Sequence, residues 1–376
     1  MSNTYTHQLY TRVNDLPQKW DHVSESCIFL QSNYLGVLEK SSPANMQCTF
    51  VGVFERDELI ATAVFQEIDL ALLTTFGDRD HFLLTRLRNF LFRQFTSKLL
   101  LVGNNMLSGQ NAYALLPGTN EEKVLETLKN ICNSWPNKPH LTIFKDFTED
   151  QTKPFKIPQF SSDYPFRSQP NMIFEIKSNW KREEDYVLDL TKKYRDQFKR
   201  CRKKGGILRN QELSLEEIVQ NEEILYALYM HVAVNSPFNT FILPCNHFSI
   251  FKNRLGSDFI LRGYFEDEKL VGFTSVIRHG KELETYFLGY DVSIQREKML
   301  YLNMLYDIIG CGISQGFKRI ILGRTALEIK SSIGANPVEL NGFMRHSYSL
   351  VHSNLSWIFP LLEPKAKWIQ RHPFKD

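Results

Sequence analysis

The chain has 376 residues, 43% of them hydrophobic, which is enough to bury a large core and favours two domains. Its 45 basic and 42 acidic side chains nearly cancel, so any basic binding surface must be local. Six cysteines stand singly without a CxxC pair, which argues against a zinc knuckle or a disulfide framework and favours a reducing compartment. No apolar run approaches the ~18 residues of a membrane span, so we expect a cytoplasmic protein without a transmembrane segment.

Helices and strands alternate through the first half. Apolar spacing predicts a helix at 26–40, and a β-hairpin follows at 49–54 and 60–65 around Arg56-Asp57. A helix with apolar positions between 82 and 95 precedes a short strand at 99–102. The loop 103–109 has two glycines, which suit a plain turn or a close approach to a ligand equally well. A helix around Val124, Leu128 and Ile131 and a strand at 140–144 complete this half.

A proline-rich stretch separates the two halves. Pro154, Pro158, Pro165 and Pro170 lie between residues 148 and 171, and this composition predicts neither a strand ladder nor a helix. We therefore divide the chain into an N-terminal domain at 1–150, a linker at 151–171 and a C-terminal domain at 172–376. The second half repeats the element order of the first weakly, which indicates an internally duplicated architecture.

A basic helix opens the second half after a strand at 172–177. The helix is predicted at 183–204, with apolar positions on one face and cations crowded towards its C-terminal end: Lys192, Lys193, Arg195, Lys199, Arg200, Arg202, Lys203 and Lys204. Cations in the last turns suit the helix macrodipole, so a solvated face explains the pattern as well as a phosphate-binding surface does. Helices at 213–232 and 246–255 and a strand at 259–265 follow.

The most informative stretch runs from 269 to 345. Two strands at 269–277 and 282–290 form a hairpin around His279-Gly280, and apolar positions from Tyr301 to Ile313 then recur at helical spacing until Gly316. A buried strand at 319–322 leads into Gly323-Arg324-Thr325-Ala326-Leu327-Glu328-Ile329-Lys330, which opens a short helix ending at Gly334. A last strand is predicted at 339–350. Ligands of open α/β sheets usually lie at the carboxyl ends of strands, which places the polar segment after 322 in the predicted site.

These residues carry a family resemblance. Two strands, an amphipathic helix, a strand and a second helix resemble the core of the GNAT acyl-CoA N-acyltransferases. The segment Gly323-Arg324-Thr325…Glu328…Lys330…Gly334-Ala335 is similar to one in the Fem-like, tandem-GNAT proteins, as are 29–39, the loop 103–109 and the basic helix. Ordinary acetyltransferases have a glycine-containing loop for the cofactor pyrophosphate, whereas this chain has Gln295-Arg296-Glu297-Lys298-Met299-Leu300-Tyr301 without glycine. The resemblance implies an α/β fold of tandem GNAT-like domains, each a mixed central sheet flanked by helices.

The resemblance also implies an acyltransferase, in which an amine attacks an activated carbonyl with the help of a base and an oxyanion donor. The implied donor is an acyl-CoA, used as a co-substrate with no permanently bound cofactor, and the acceptor is a small-molecule amine or a cell-wall precursor. One alternative is Fem-like transfer of an amino acid from aminoacyl-tRNA to a peptidoglycan precursor. The other is a catalytically inactive tandem-GNAT scaffold. DNA and metal are not expected, and a peripheral membrane contact stays open.

The candidate site residues follow from the same segments. Glu328 is the candidate base and His346 a second titratable group, although a lone histidine is more often a packed residue. Arg324 and Glu328, four apart, also fit a structural ion pair. Tyr286 and Tyr290 are placed on one face of their strand, where core packing is the alternative to lining an acceptor site. The predicted binding residues are Lys192, Arg195, Lys199, Arg200, Tyr286, Tyr290, Arg324, Thr325 and Lys330.

Overall fold

The computed structural model describes residues 5–72, 97–235, 239–362 and 368–375. The helices are α1 (Trp20–Val23), α2 (Ser32–Ser41), α3 (Glu121–Asn133), α4 (Glu183–Asp189), α5 (Lys192–Gly205), α6 (Leu215–Gln220), α7 (Glu222–Ala233), α8 (His247–Leu255), α9 (Val292–Lys298), α10 (Leu300–Ser314), α11 (Leu327–Ser332), α12 (Ser349–Ser353) and α13 (Leu355–Leu362). The strands are β1 (Thr6–Tyr10), β2 (Met46–Glu55), β3 (Glu58–Asp69), β4 (Lys98–Val102), β5 (Tyr113–Leu115), β6 (Leu141–Phe147), β7 (Tyr164–Glu175), β8 (Arg209–Glu212), β9 (Phe259–Glu266), β10 (Lys269–His279), β11 (Glu282–Tyr290), β12 (Arg319–Ile321) and β13 (Asn336–His346).

The chain forms two compact units. The first contains Met1–Gln169, Pro237–His247 and Glu339–Lys365, and the second contains Pro170–Ser236, Phe248–Val338 and Ala366–Asp376. The first unit thus receives two segments from late in the sequence, which a division at a single linker does not include. Whether 151–171 separates independently folding domains stays a prediction, which limited proteolysis can check.

The first unit is a mixed sheet in the order β1-β2-β3-β4-β6-β13. The pairs β1–β2, β2–β3 and β3–β4 are antiparallel, β4–β6 is parallel, and β6–β13 is antiparallel again. The β2–β3 turn is made by Arg56 and Asp57, both with positive φ as a tight hairpin turn requires. Helix α3 buries Val124, Leu128 and Ile131 in this unit's core, as their spacing predicts.

The second unit repeats this pattern in the order β8-β9-β10-β11-β12-β7. Three antiparallel pairs are followed by the parallel pair β11–β12 and the antiparallel pair β12–β7. Helix α10 buries Leu305, Ile309 and Ile313 in the core of this unit. The α/β class, a large mixed sheet flanked by helices, is therefore confirmed, and the weak repeat in element order is a repeat in strand pairing.

Several predicted elements have different bounds. The helix at 183–204 is two helices, α4 and α5, because Leu190 and Thr191 have extended backbones and Leu190 bridges to Phe374. The helix at 213–232 also divides, at Asn221. The strand predicted at 339–350 ends at His346, and α12 follows. The helix expected around 82–95 lies outside the described residues.

The proline-rich stretch is not a plain linker. Strand β7 begins at Tyr164 and contains Pro165 and Pro170, although proline cannot donate to a ladder. Both prolines precede the residues that pair with β12, which are Ile173 to Glu175. The proline content argued against a strand here because proline lacks a backbone N–H. Composition does not show which positions of a strand need that N–H for pairing, so the strand was missed.

Candidate active site

The candidate site lies where β11 and β12 part in the second unit. Their parallel register covers only Glu282 to Glu284 opposite Arg319 to Ile321. Strand β11 continues from Thr285 to Tyr290 beyond the last residue of β12, and Thr285 donates its hydroxyl to the Ile321 carbonyl at 2.9 Å. The strand ends therefore diverge next to the segment that starts at Gly323, and the predicted site is at this divergence.

A β-bulge changes which residues face this opening. Thr274 pairs with Leu288 but Val276 pairs with Thr285, so β11 has one extra residue at Tyr286–Phe287. The Tyr286 ring packs 5.0 Å from Phe251 on α8, whereas Tyr290 lies 6.3 Å from Tyr301 on α10. The prediction that the two tyrosines share one face is wrong, because a bulge shifts the strict alternation of a strand. Burial raises the pKa of Tyr290.

The loop between β12 and α11 presents Arg324 and Thr325. Gly323 has φ +75° and Ala326 has φ +53°, so two left-handed residues bracket this short turn. Arg324 is half-buried and Thr325 is exposed. The turn is joined to β7 by two bonds, from the Met172 amide to the Gly323 carbonyl at 3.1 Å and from the Leu322 amide to the Met172 carbonyl at 2.8 Å.

Lys330 lies behind this turn, not on its surface. Its side chain is buried, and its Nζ donates to the carbonyls of Leu322 at 2.5 Å and Gly323 at 3.4 Å. Burial lowers the pKa of Lys330 to about 7. The lysine predicted to bind ligand therefore fastens helix α11 to the end of β12, and its direct contact with a ligand stays a prediction.

Glu328 projects from the first turn of α11 and is paired, but with an unexpected partner. Its side chain is 48% exposed, and Arg371 donates to Glu328 Oε1 through Nε at 3.1 Å and also through Nη2. The hydrogen bond to Glu328 raises the pKa of the Arg371 guanidinium. The ion pair considered between Arg324 and Glu328 is thus replaced by one 43 residues apart in sequence.

His346 lies in the first unit, at the end of β13, while Glu328 and Lys330 belong to the second. Its ring is buried and its Nδ1 accepts the Tyr348 amide at 3.1 Å. This bond forms the turn between β13 and α12, which is a local structural role. The catalytic role of His346 stays a prediction.

The basic helix α5 exposes most but not all of its cations. Lys192, Lys199 and Arg200 are exposed and Arg195 is half-buried, and among the described residues none of these four has an ion-pair partner. Arg202 instead points inward to Asp307 at 2.6 Å and to Glu183. The helix therefore has an inner arginine held by ion pairs and an outer face of mostly exposed cations, as expected for either an anion-binding surface or a solvated face.

The segment aligned with the acetyltransferase pyrophosphate loop is helical. Gln295 to Lys298 belong to α9, and Met299, with φ +50°, separates α9 from α10. The carboxyl end of α5 packs against the start of α10, where Asn303 donates to the Cys201 carbonyl at 3.0 Å. A Cβ on Gly205 would overlap the Asn303 side chain, so the approach is close. The start of α10 is thus covered by protein.

Two residues near the candidate site, Glu284 and Arg371, are not predicted from the sequence. Glu284 is 6% exposed and occupies the last β11 position that pairs with β12. An acidic residue inside an apolar strand was the available signal, because buried carboxylates cluster at functional sites. Arg371 offered no signal, since nothing local in its sequence connects it to Glu328.

The parts of the chain that the structure describes contain no cluster of three or more metal-ligating side chains. Within the same residues, we find no helix with the length and apolar character needed to cross a bilayer.

Comparison with known proteins gives structural but not sequence matches. No family model matches the sequence, and no curated protein is significantly similar to it. The structure of FemX is similar with a TM-score of 0.52 at 9% identity, covering 89% of this chain and 96% of that one. A tandem GNAT protein from the clavulanic acid biosynthesis pathway has a TM-score of 0.50 at 8% identity, covering 92% and 99%.

A third similar structure is the C-terminal domain of a putative lysylphosphatidylglycerol synthetase from Agrobacterium fabrum. Its TM-score is 0.51 at 8% identity, with 94% of this chain and 99% of that chain covered. At such identities the likeness establishes the fold and nothing finer. The chain therefore has the tandem GNAT fold of the Fem-like proteins, as its element order and its Gly323–Lys330 segment predict.

Proposed function

We propose that the second unit is an N-acyltransferase centre, which moves an acyl group from an activated donor to an amine. The amine nitrogen attacks the acyl carbon, the bond to the leaving sulfur or oxygen breaks, and a base takes the amine proton. The observation that carries this proposal is the divergence of β11 and β12 beside Arg324, Thr325 and Glu328, in a chain with the tandem GNAT fold.

Glu328 is the proposed base. Its carboxylate is half-exposed on the first turn of α11, within the segment that resembles the Fem-like proteins. Glu284 is the other carboxylate at the divergence, but it is buried. Arg324 and Thr325 are proposed to bind the donor or to support the oxyanion of the tetrahedral intermediate.

The first proposed donor is an acyl-CoA thioester. Its direct test is a thermal-shift series with CoA and acyl-CoAs of several chain lengths. A ligand at ~100 times its dissociation constant should stabilise the protein by ~2.7 kcal/mol. Transfer of a labelled acyl group to an amine panel would then identify the acceptor class. The absence of both a shift and transfer for every thioester would contradict an acyl-CoA donor.

The second proposed donor is an aminoacyl-tRNA, and one observation favours it. The start of α10 is covered by the end of α5 and lacks a glycine loop, while the outer face of α5 carries exposed cations. A large polyanion held by such a face should bind with a steep salt dependence. Aminoacyl-tRNA binding that weakens strongly between 50 and roughly 200 mM salt, without any CoA binding, would select this donor. Binding of neither would support an inactive scaffold.

A further inference from the structure

The C-terminal strap, residues 368–375, is held to the second unit along its backbone. The Thr191 amide donates to the Pro373 carbonyl at 2.8 Å, and the Lys375 amide donates to the Asp189 carbonyl at 3.0 Å. Between these bonds Leu190 and Phe374 form an antiparallel bridge. The strap thus occupies the break between α4 and α5, immediately before the basic helix.

Phe374 fixes the strap in the core of the second unit. Its ring lies 5.6 Å from Trp180 and 6.0 Å from Tyr186. Gly334 is a further neighbour, and a Cβ there would collide with the Phe374 ring. A glycine with φ +106° at the end of α11 therefore makes room for the strap as well as for the turn. The strap is a packed element that contacts the end of α4 and helix α11.

Arg371 lies in the strap and contacts Glu328. Its amide donates to Ser331 Oγ at 3.0 Å, which fixes the backbone above α11. Its Nε and Nη2 both donate to Glu328 Oε1. Within the described part of the chain, Glu328 Oε2 has no hydrogen-bond partner. Arg371 therefore binds one carboxylate oxygen of Glu328 and, among the described residues, the other has no hydrogen bond.

We propose that Arg371 is a positioning residue for Glu328, delivered by the strap. This inference rests on the proposed function, in which Glu328 accepts the amine proton. A half-exposed glutamate on a helix surface otherwise samples several rotamers, and a guanidinium with two donors fixes one of them. The two hydrogen bonds to Oε1 leave Oε2 as the proton acceptor.

The test compares two arginine substitutions in the full-length protein. Arg371→Met removes the clamp, and Arg167→Met removes an exposed ion pair with Glu339 in the first unit as the matched control. We expect Arg371→Met to lower kcat by about 10- to 100-fold with little change in KM, because misplacing a catalytic group costs rate and not binding. Arg371→Lys should recover part of kcat, since one donor replaces two. The control should retain wild-type kinetics.

The outcomes separate this inference from the proposed function. An active wild type, an inactive Glu328→Gln and an unchanged kcat in Arg371→Met would overturn the positioning role and leave the acyltransferase intact. Full activity in Glu328→Gln would overturn the base and the positioning role together. A wild type that transfers no acyl group from either donor class would overturn the proposed function itself. A rise in KM alone would reassign Arg371 to substrate binding and so contradict positioning.

Discussion

The two units share one strand pattern but differ after their parallel pair. In the first unit the loop following β4 turns inward, and the buried Lys145 donates to the carbonyls of Asn104 at 3.2 Å and Leu107 at 3.5 Å. Asn104 is itself buried and donates to the Tyr34 hydroxyl at 2.7 Å. In the second unit the corresponding segment after β12 carries the half-buried Arg324 and the exposed Thr325 and Glu328.

This difference shows how a duplicated fold can separate structure from chemistry. Lys145, Asn104 and Tyr34 of the first unit thus bond to one another or to backbone carbonyls inside the protein. Lys145 also pairs with Asp146 at 2.6 Å, and Lys129 pairs with Asp163, all buried. The second unit keeps its lysine, Lys330, inside and its carboxylate, Glu328, half-exposed. We therefore expect these polar groups of the first unit to contribute to stability, whereas the proposed chemistry belongs to the second unit.

The largest expected effect tests the chemical side of this comparison. Glu328→Gln should lower turnover by about 10²–10⁴ because a general base is lost, with little change in melting temperature. Glu122→Gln is the control, an exposed glutamate of the first unit whose loss should not change turnover. Steady-state kinetics and melting curves are measured on both variants. Unchanged turnover in Glu328→Gln would show that Glu328 is not the base and would make Glu284 the next candidate.

The structural side is tested by Lys129→Met in the first unit. The Lys129–Asp163 pair is 1% exposed at both ends, so removing the lysine leaves a buried carboxylate with an incomplete set of partners. We expect the free energy of unfolding to fall by about 3–5 kcal/mol. Turnover per folded molecule should stay at the wild-type value. A loss of turnover with normal stability would contradict the division of roles between the units.

Lys330 gives a pH-dependent effect of intermediate size. Its pKa is lowered by burial from 10.5 to about 7, so between these values the unfolded chain binds more protons than the folded one. Stability therefore rises with pH in this window, by at most about 1.4 kcal/mol per pH unit. Lys330→Met removes this pH dependence. Between pH 7 and 9 the free energy of unfolding, measured by urea denaturation, should therefore rise more for the wild type than for the variant. If the free energy of unfolding changes equally with pH in both proteins, Lys330 does not titrate between pH 7 and 9.

The smallest effect on stability is expected at the outer face of α5. Lys199→Gln with Arg200→Gln should change the free energy of unfolding by ~0 to 1 kcal/mol per residue. If the face binds an anionic donor, the same pair should weaken that donor and flatten its salt dependence. Lys123→Gln with Lys156→Gln, two exposed lysines of the first unit, is the control. Equal donor affinity in both double variants would leave a solvated face as the explanation.

Local sequence determined most of the elements. Apolar spacing placed α3, α8 and α10, and alternation with turn residues placed the hairpins β2–β3 and β10–β11, because these signals act within a few residues. The residue pattern also predicted the polar segment at the end of β12, whereas the mixed sheet was implied by the family resemblance. They failed where a break depends on a distant contact, as at Leu190, which pairs with Phe374.

Only the tertiary structure decided how the site is completed. The bulge in β11 places Tyr286 and Tyr290 on different faces of the strand. Arg202 points inward because it forms ion pairs with Asp307 and Glu183. The partner of Glu328 comes from the far end of the chain, placed by the packing of Phe374 against Trp180 and Tyr186. Periodicity reports which side of an element is buried, but it carries no information about what lies opposite. Those pairings follow from the packing of the whole unit, which no short stretch of sequence encodes.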